Sequence, residues 1–178
     1  MPDTKILSSK NVFSSPYFTV TQKTIERNGK TFTKDFIQKN PMVVVIPYTA
    51  KNEIYMESQY RDALGQTILE LVAGNIETDE DPFEAAKREL KEEAGLVAKT
   101  WKKLHVWDLS ASLHAKIYLY VATDFEKVEQ NLDEDEEITI HKMPLEKVVE
   151  KIMNGEMTIS YQIASLLLFD RLRKEGKL

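Results

Sequence analysis

An α+β fold, with single helices flanking a curved sheet, is predicted by three observations on this chain. Alternating or β-branched segments dominate the sequence from about Lys5 to Thr123. One well-punctuated helical segment, 82–94, interrupts them, and two more close the chain. No repeat, low-complexity tract or long linker divides it, and 178 residues are ample for one buried core.

Taken in order, residues 5–38 read as strands broken by turns. FTVTQKTIE alternates in part, Asn28-Gly29 is a strong hairpin signal, and KTFTKDFI resumes the alternation. The run 42–48 (MVVVIPY) is nearly continuous and β-branched, as in a strand covered on both faces. Asn52 helps turn the chain into a further strand at 53–61 (EIYMESQYR), and 67–73 (TILELVA) leads into the helical segment. There Asp81 can cap, Pro82 suits the first turn, Glu84 gives a capping-box-like pattern, and Gly95 is a left-handed terminator. Strands follow at 101–108 and 115–123. An acidic loop at 132–137 (LDEDEE) precedes a strand at 138–143. Helices are expected at 144–153 and 159–174, with Asn154-Gly155 between them.

Composition narrows the function classes. The apolar fraction is 42% and the charged fraction 30%, as in ordinary globular domains. A net charge of −5 disfavours a nucleic-acid surface, which needs an excess of Lys and Arg. With no cysteine there is no disulfide, thiolate metal site or cysteine nucleophile. The opening MPDTKILSSK lacks the apolar core of a signal peptide, and the longest apolar run falls far short of the roughly 20 residues of a membrane span. No membrane partner is expected, and the expected setting is cytoplasmic.

The chemistry concentrates in 74–96, GNIETDEDPFEAAKRELKEEAGL. On a helix, Phe83, Ala86, Leu90 and Ala94 form an apolar stripe, while Glu89, Glu92 and Glu93 fall on the adjacent one. Arg88 lies beside Glu84 and Glu92, where its forked donors can orient a carboxylate. Three carboxylates at the edge of a core repel one another unless a hard cation such as Mg²⁺ or Mn²⁺ joins them. Composition alone would make this a solvated, salt-bridged helix. The spacing says otherwise.

Gly74, five residues, Glu80, seven residues, then Arg88-Glu89-Leu90-Lys91-Glu92-Glu93-Ala94-Gly95-Leu96 match every specified position of the Nudix box. The chain therefore resembles Nudix hydrolases, which implies an αβα sandwich and Mg²⁺-dependent hydrolysis of a nucleoside diphosphate linked to another moiety. Gln59-Tyr60-Arg61, Leu69 to Gly74, Ile76-Glu77, the acidic loop and the C-terminal PLEKVVEKIMNGEMT are similar to the ADP-ribose pyrophosphatase branch. The resemblance makes Glu89 and Glu93 metal ligands, joined by Glu92 and the Ala73 carbonyl, with Glu80 and Arg88 as buttresses. In the acidic loop, Glu136 is the better ligand and Glu134 the better base, with Asp133, Asp135 and Glu137 close by. Arg61 would contact phosphate or the terminal ribose, and Tyr17 and Phe18 a base.

One departure affects specificity. Where that branch usually carries Ser-Pro-Gly, this chain has Ser110-Ala111-Ser112-Leu113-His114, with Ser112 and His114 as candidate substrate contacts. This opens the preference to other nucleoside diphosphate sugars, GDP-mannose among them. Two alternatives stand beside this reading. One is a Nudix pyrophosphatase for nucleoside triphosphates, dinucleoside polyphosphates or capped RNA; the other is a non-catalytic nucleotide-sugar sensor. The branch is usually dimeric through N-terminal strands. Residues 1–40 are accordingly expected to form a small antiparallel β-subdomain serving a homodimer, and 41–178 the hydrolase domain.

Overall fold

The computed structural model describes residues 3–134 and 136–178. Its strands are β1 (Thr4–Ser14), β2 (Phe18–Arg27), β3 (Lys30–Lys39), β4 (Met42–Pro47), β5 (Glu53–Arg61), β6 (Gln66–Glu70), β7 (Val72–Asn75), β8 (Leu96–Asp108), β9 (Leu113–His114), β10 (Lys116–Lys127) and β11 (Ile138–Pro144). Its helices are α1 (Pro82–Ala94), α2 (Leu145–Met153) and α3 (Ser160–Lys174). Two compact units result: the first 41 residues with Asp108–Ile117, and Met42–Trp107 with Tyr118–Leu178.

The first unit is one sheet in the order β1-β2-β3-β9. Asn28 and Gly29 both take positive φ, 51° and 72°, the conformation that lets a two-residue loop follow the twist of β2 and β3. The Arg27↔Lys30 pair closes that hairpin. Every residue of β1 is exposed.

The second unit holds two sheets, β7-β4-β10-β8 and β11-β5-β6, with the three helices. All six residues of β4 are buried, as its unbroken apolar run requires. Val43 and Val45 join Ala85, Ala86 and Leu90 of α1 in one cluster with Leu96 and Tyr120. The intervening Val44 and Ile46, also fully buried, face the opposite side of the strand. Each large apolar side chain covered in this way contributes roughly 1.5–3 kcal/mol.

The run 67–73 is divided between two sheets, because β6 ends at Glu70 and β7 begins at Val72. At the switch, the Leu71 N–H donates to Gln162 Oε1 of α3 at 2.6 Å. Gln162 Nε2 in turn donates to Glu70 at 3.1 Å. A helix side chain therefore satisfies a backbone donor that would otherwise be buried unpaired.

Helix α1 starts where the Asp81 carboxylate accepts the Phe83 N–H at 2.8 Å, with Pro82 in the first turn. It ends at Gly95, at φ 61°, whose N–H bonds the Leu90 and Lys91 carbonyls. A Cβ there would also lie 2.7 Å from the Val128 carbonyl, so both conformation and space require glycine. Glu84 pairs with Lys87 at 2.6 Å, and Arg88 turns to other carboxylates. Among the described residues, no helix is long and apolar enough to cross a membrane.

Candidate active site

Helix α1 presents Glu89, Glu92 and Glu93 beside β7, and the β7 backbone is shaped to receive them. Gly74, paired with Val43 across the ladder, leaves the space into which Glu89 reaches. A Cβ on Gly74 would fall 1.9 Å from Glu89 Oε1. The Ala73 N–H donates to Glu93 Oε2 at 3.1 Å. Sequence spacing and the missing side chain at Gly74 together bring two carboxylates onto one stretch of backbone.

Arg88 organises the outer side of this group. Its Nε and Nη2 grip both oxygens of Glu80 at 2.9 and 3.0 Å. Nη1 reaches Glu89 at 2.8 Å and Glu92 at 3.2 Å, and Nη2 also donates to the Asn75 carbonyl at 3.0 Å. This charge-assisted grip, with a backbone donor from Glu77, holds the Glu80 carboxyl below its usual range. Glu80 in turn is the main reason the Arg88 guanidinium holds its proton more tightly than usual.

The acidic loop is tied to the C-terminal end of α1. Asn131 N–H donates to the Glu92 carbonyl at 3.0 Å, the Gln130 side chain donates to the Glu93 carbonyl, and Val128 N–H donates to the Gly95 carbonyl at 2.9 Å. Glu136 N–H meets the Asp133 carbonyl at 3.0 Å and Glu136 Oε2 accepts the Asp133 N–H at 3.2 Å, a compact turn.

Strand β5 supplies Arg61 to the pocket. By the two-residue period of a strand, Glu57, Gln59 and Arg61 share one face. Glu57 lies opposite Glu70 in the β5–β6 ladder, and Arg61 Nε binds Glu70 Oε1 at 2.7 Å. Glu57 is fully buried, and neither of its carboxylate oxygens has a hydrogen-bond partner among the described residues. Gln59 Oε1 is also buried without a partner.

Burial, then repulsion from Glu93 and Glu70, pushes the Glu57 carboxyl well above the usual carboxylate range. Glu93 shifts the same way, through burial and then the charges of Glu89 and Glu136. Burial raises Glu89 to about 7 against the opposing pull of Arg88. This half of the site has too little positive charge for its carboxylates.

Arg61, Ala73, Arg88, Glu89, Glu92, Glu93 and Glu136 line one pocket together with Gly74, Asn75, Glu77, Asn131 and Asp133. Glu134, expected as the base, is exposed on the adjoining turn and is not among the pocket's lining residues; Asp135 lies outside the described residues. The four remaining expected substrate contacts belong to the other unit. Tyr17 is 65% exposed, and the Phe18 ring sits 5.4 Å from that of Phe13. Ser112 is exposed within a turn closed by Ser110 Oγ, and His114 pairs with Gln38 along β3.

Among the described residues, no three acidic or histidine side chains already converge as a metal cage. Between them, Arg88 and the Ala73 N–H hold one oxygen each of Glu89, Glu92 and Glu93, which leaves the second oxygen of each carboxylate for a cation. Glu70 and Gln162, which back Arg61, and the buried Glu57 on the same strand face were given no role by the sequence pattern. The usable signal was three polar residues, Glu57, Gln59 and Arg61, on one face of a strand otherwise rich in apolar positions.

Comparison with known proteins bears on this geometry. The family model for the NUDIX domain matches residues 38–162. An ADP-ribose pyrophosphatase from Bacillus subtilis is 28% identical over 96% of this chain and 96% of its own length. A methanol dehydrogenase activator from Bacillus methanolicus is 32% identical over 83% of this chain and 82% of its own. A crystal structure of an ADP compounds hydrolase superposes with a TM-score of 0.83 at 23% identity, covering 98% of this chain and 97% of that one, and shares the fold.

Proposed function

This chain belongs to the Nudix family of hydrolases, and from that premise we propose that it hydrolyses the diphosphate of ADP-ribose and related nucleoside diphosphate sugars. One observation carries the reading. The box carboxylates Glu89, Glu92 and Glu93 and the acidic-loop Glu136 share a pocket with Arg61. Nudix enzymes generally use divalent metal ions, and the donor set here fits one. It is all oxygen, and burial with the nearby charges of Glu89 and Glu136 pushes the Glu93 carboxyl well above its usual range, a cost that a cation would relieve. We assign Mg²⁺, with Mn²⁺ as substitute, to Glu89, Glu92, Glu93, Glu136 and the Ala73 carbonyl. A bound ion of this kind neutralises the phosphates and acidifies water.

The chain's own residues then divide the remaining work. Arg61 uses Nε on Glu70, and its terminal amino groups, without a protein partner among the described residues, take a phosphate oxygen. Arg88 keeps Glu89 and Glu92 in place. An acidic-loop carboxylate accepts the proton of the attacking water; this role goes to Glu134, two residues from Glu136, which faces the pocket and is kept for the metal. Water adds to one phosphorus, the bridging P–O bond breaks, and a nucleoside monophosphate and a sugar phosphate leave.

The named activity of the Bacillus subtilis relative, and of a Mycobacterium tuberculosis ADP-ribose pyrophosphatase 26% identical over 93% of this chain, supports ADP-ribose. The loop at Ser110–His114, lacking Pro and Gly, widens the choice toward GDP-mannose. Tyr17 and Phe18 are assigned to a nucleobase, and Ser112 and His114 to substrate. Exposed Ile6, Leu7, Val12 and Phe13 on β1 support a homodimer formed through the N-terminal subdomain.

The test is a panel of ADP-ribose, GDP-mannose, UDP-glucose and nucleoside triphosphates with Mg²⁺ or Mn²⁺. Release of AMP or GMP from a diphosphate sugar, abolished by chelator, is expected. Hydrolysis confined to triphosphates, or unaffected by chelator, would overturn the reading.

A further inference from the structure

Strand β5, which brings Arg61 to the pocket, carries on the same face polar atoms that the proposed metal set does not use. Glu57 is completely buried, and both its oxygens lack a partner among the described residues. Gln59 Oε1, next along the same strand face, is a third buried acceptor in the same condition. With Glu57 ionised all three atoms are acceptors, so what would satisfy them is positive charge or donors. A carboxylate that could be replaced by an apolar side chain of similar size is costly to keep in this state.

Available cations do not cover the deficit. Arg61, the basic side chain on this face, commits its Nε to Glu70, directly opposite Glu57 in the ladder. The Gln162 amide, the next possible donor, goes to the same Glu70. On the β11 side, Glu57 faces Ile140, which offers no side-chain donor. The charged groups that act on Glu57 are Glu93, Glu70, Arg61 and Glu136, three of which line the pocket, and Glu93 repels it most. Glu57 thus shares the strand face of Arg61, a pocket residue, and among charged groups it is Glu93 that acts on it most strongly.

We infer that Glu57, supported by Gln59 Oε1, is an additional inner ligand for a divalent cation shared with Glu93, so that the ion is gripped from strand β5 as well as from the Nudix helix. The inference rests on the metal reading above and extends it to residues outside the box. It accounts for a buried carboxylate that nothing in the protein satisfies, since a hard cation supplies the missing charge and takes oxygen ligands.

The experiment is titration of the metal-free, full-length protein with Mn²⁺ alone, following free Mn²⁺ by electron paramagnetic resonance. Wild type is compared with Glu57→Gln, Glu57→Leu and, as reference, Glu93→Gln; thermal melts are recorded with and without Mn²⁺. Expected is an affinity loss of about tenfold or more in both Glu57 variants, the scale on which metal sites respond to lost supporting groups. Their metal-free melting temperature should equal or exceed that of wild type, and the rise given by Mn²⁺ should shrink. Unchanged Mn²⁺ affinity in both folded variants, with Glu93→Gln impaired, would overturn the role of Glu57 and leave the proposed function standing. Failure of wild type to bind Mn²⁺, or normal binding by Glu93→Gln, would overturn both.

Discussion

Glu80 and Glu57 both act on the carboxylate group of the Nudix box, Glu80 through Arg88 and Glu57 through like charge, and their surroundings are opposite. Glu80 has both oxygens in the fork of Arg88 and a backbone donor besides, so it stays ionised below the usual range. Glu57 has no hydrogen-bond partner among the described residues and is driven the other way by burial and like charge. The Arg88 side is a self-sufficient scaffold that holds its shape from protein bonds alone. The β5 side carries a charge deficit, and the proposed cation is what would remove it.

Four measurements test that contrast, in descending order of expected effect. Glu93→Gln, in the deficient half, should reduce Mg²⁺-dependent hydrolysis by roughly a hundredfold or more, the scale of losing one transition-state contact, with its circular dichroism spectrum retained. Full activity in this variant would show that the deficient half serves no metal. Arg88→Ala, in the scaffold half, should instead cost stability, about 2 kcal/mol from lost hydrogen bonds between charged groups. Arg88→Lys should recover little of this, because an ammonium lacks the fork. An equal loss of stability in the Glu93 and Arg88 variants would erase the distinction.

Gly74→Ala probes the boundary between the halves. The added methyl collides with the far end of the Glu89 side chain, which can swing aside only by giving up its bond to Arg88, so the melting temperature should fall by a few degrees. Mn²⁺ affinity should also fall by about tenfold, the cost of disturbing a ligand's support. The smallest effect is on pH. Glu89, raised to about 7 from 4.5, favours its neutral form in the folded protein. Its contribution to stability is therefore complete below about pH 4.5 and lost as pH rises through about 7. Urea melts of metal-free protein at pH 5, 6 and 8 should show this decline, and saturating Mn²⁺ should remove it.

The sequence revealed some of this architecture well and hid the rest for physical reasons. Asp81, Pro82 and Gly95 act locally, through caps and a left-handed residue, so the bounds of α1 were legible. Asn28-Gly29 fixed a hairpin in the same way. Glu57 was illegible because alternation sets it opposite Ile54 and Met56, which reads as a solvent face, whereas both sides of β5 are covered. The division of 67–73 was hidden too. It depends on Gln162, which lies 91 positions beyond Leu71 in the chain, a relation that no local pattern records.

That glutamine has a consequence of its own. One amide on the last helix touches the strand crossing through Leu71 and the carboxylate of Glu70 that anchors Arg61. The tail of the chain is thereby geared to Arg61, the arginine proposed for phosphate, two bonded contacts away. Damage to the C-terminus, however remote from the bond being cut, should surface as slack in substrate grip before it surfaces as unfolding.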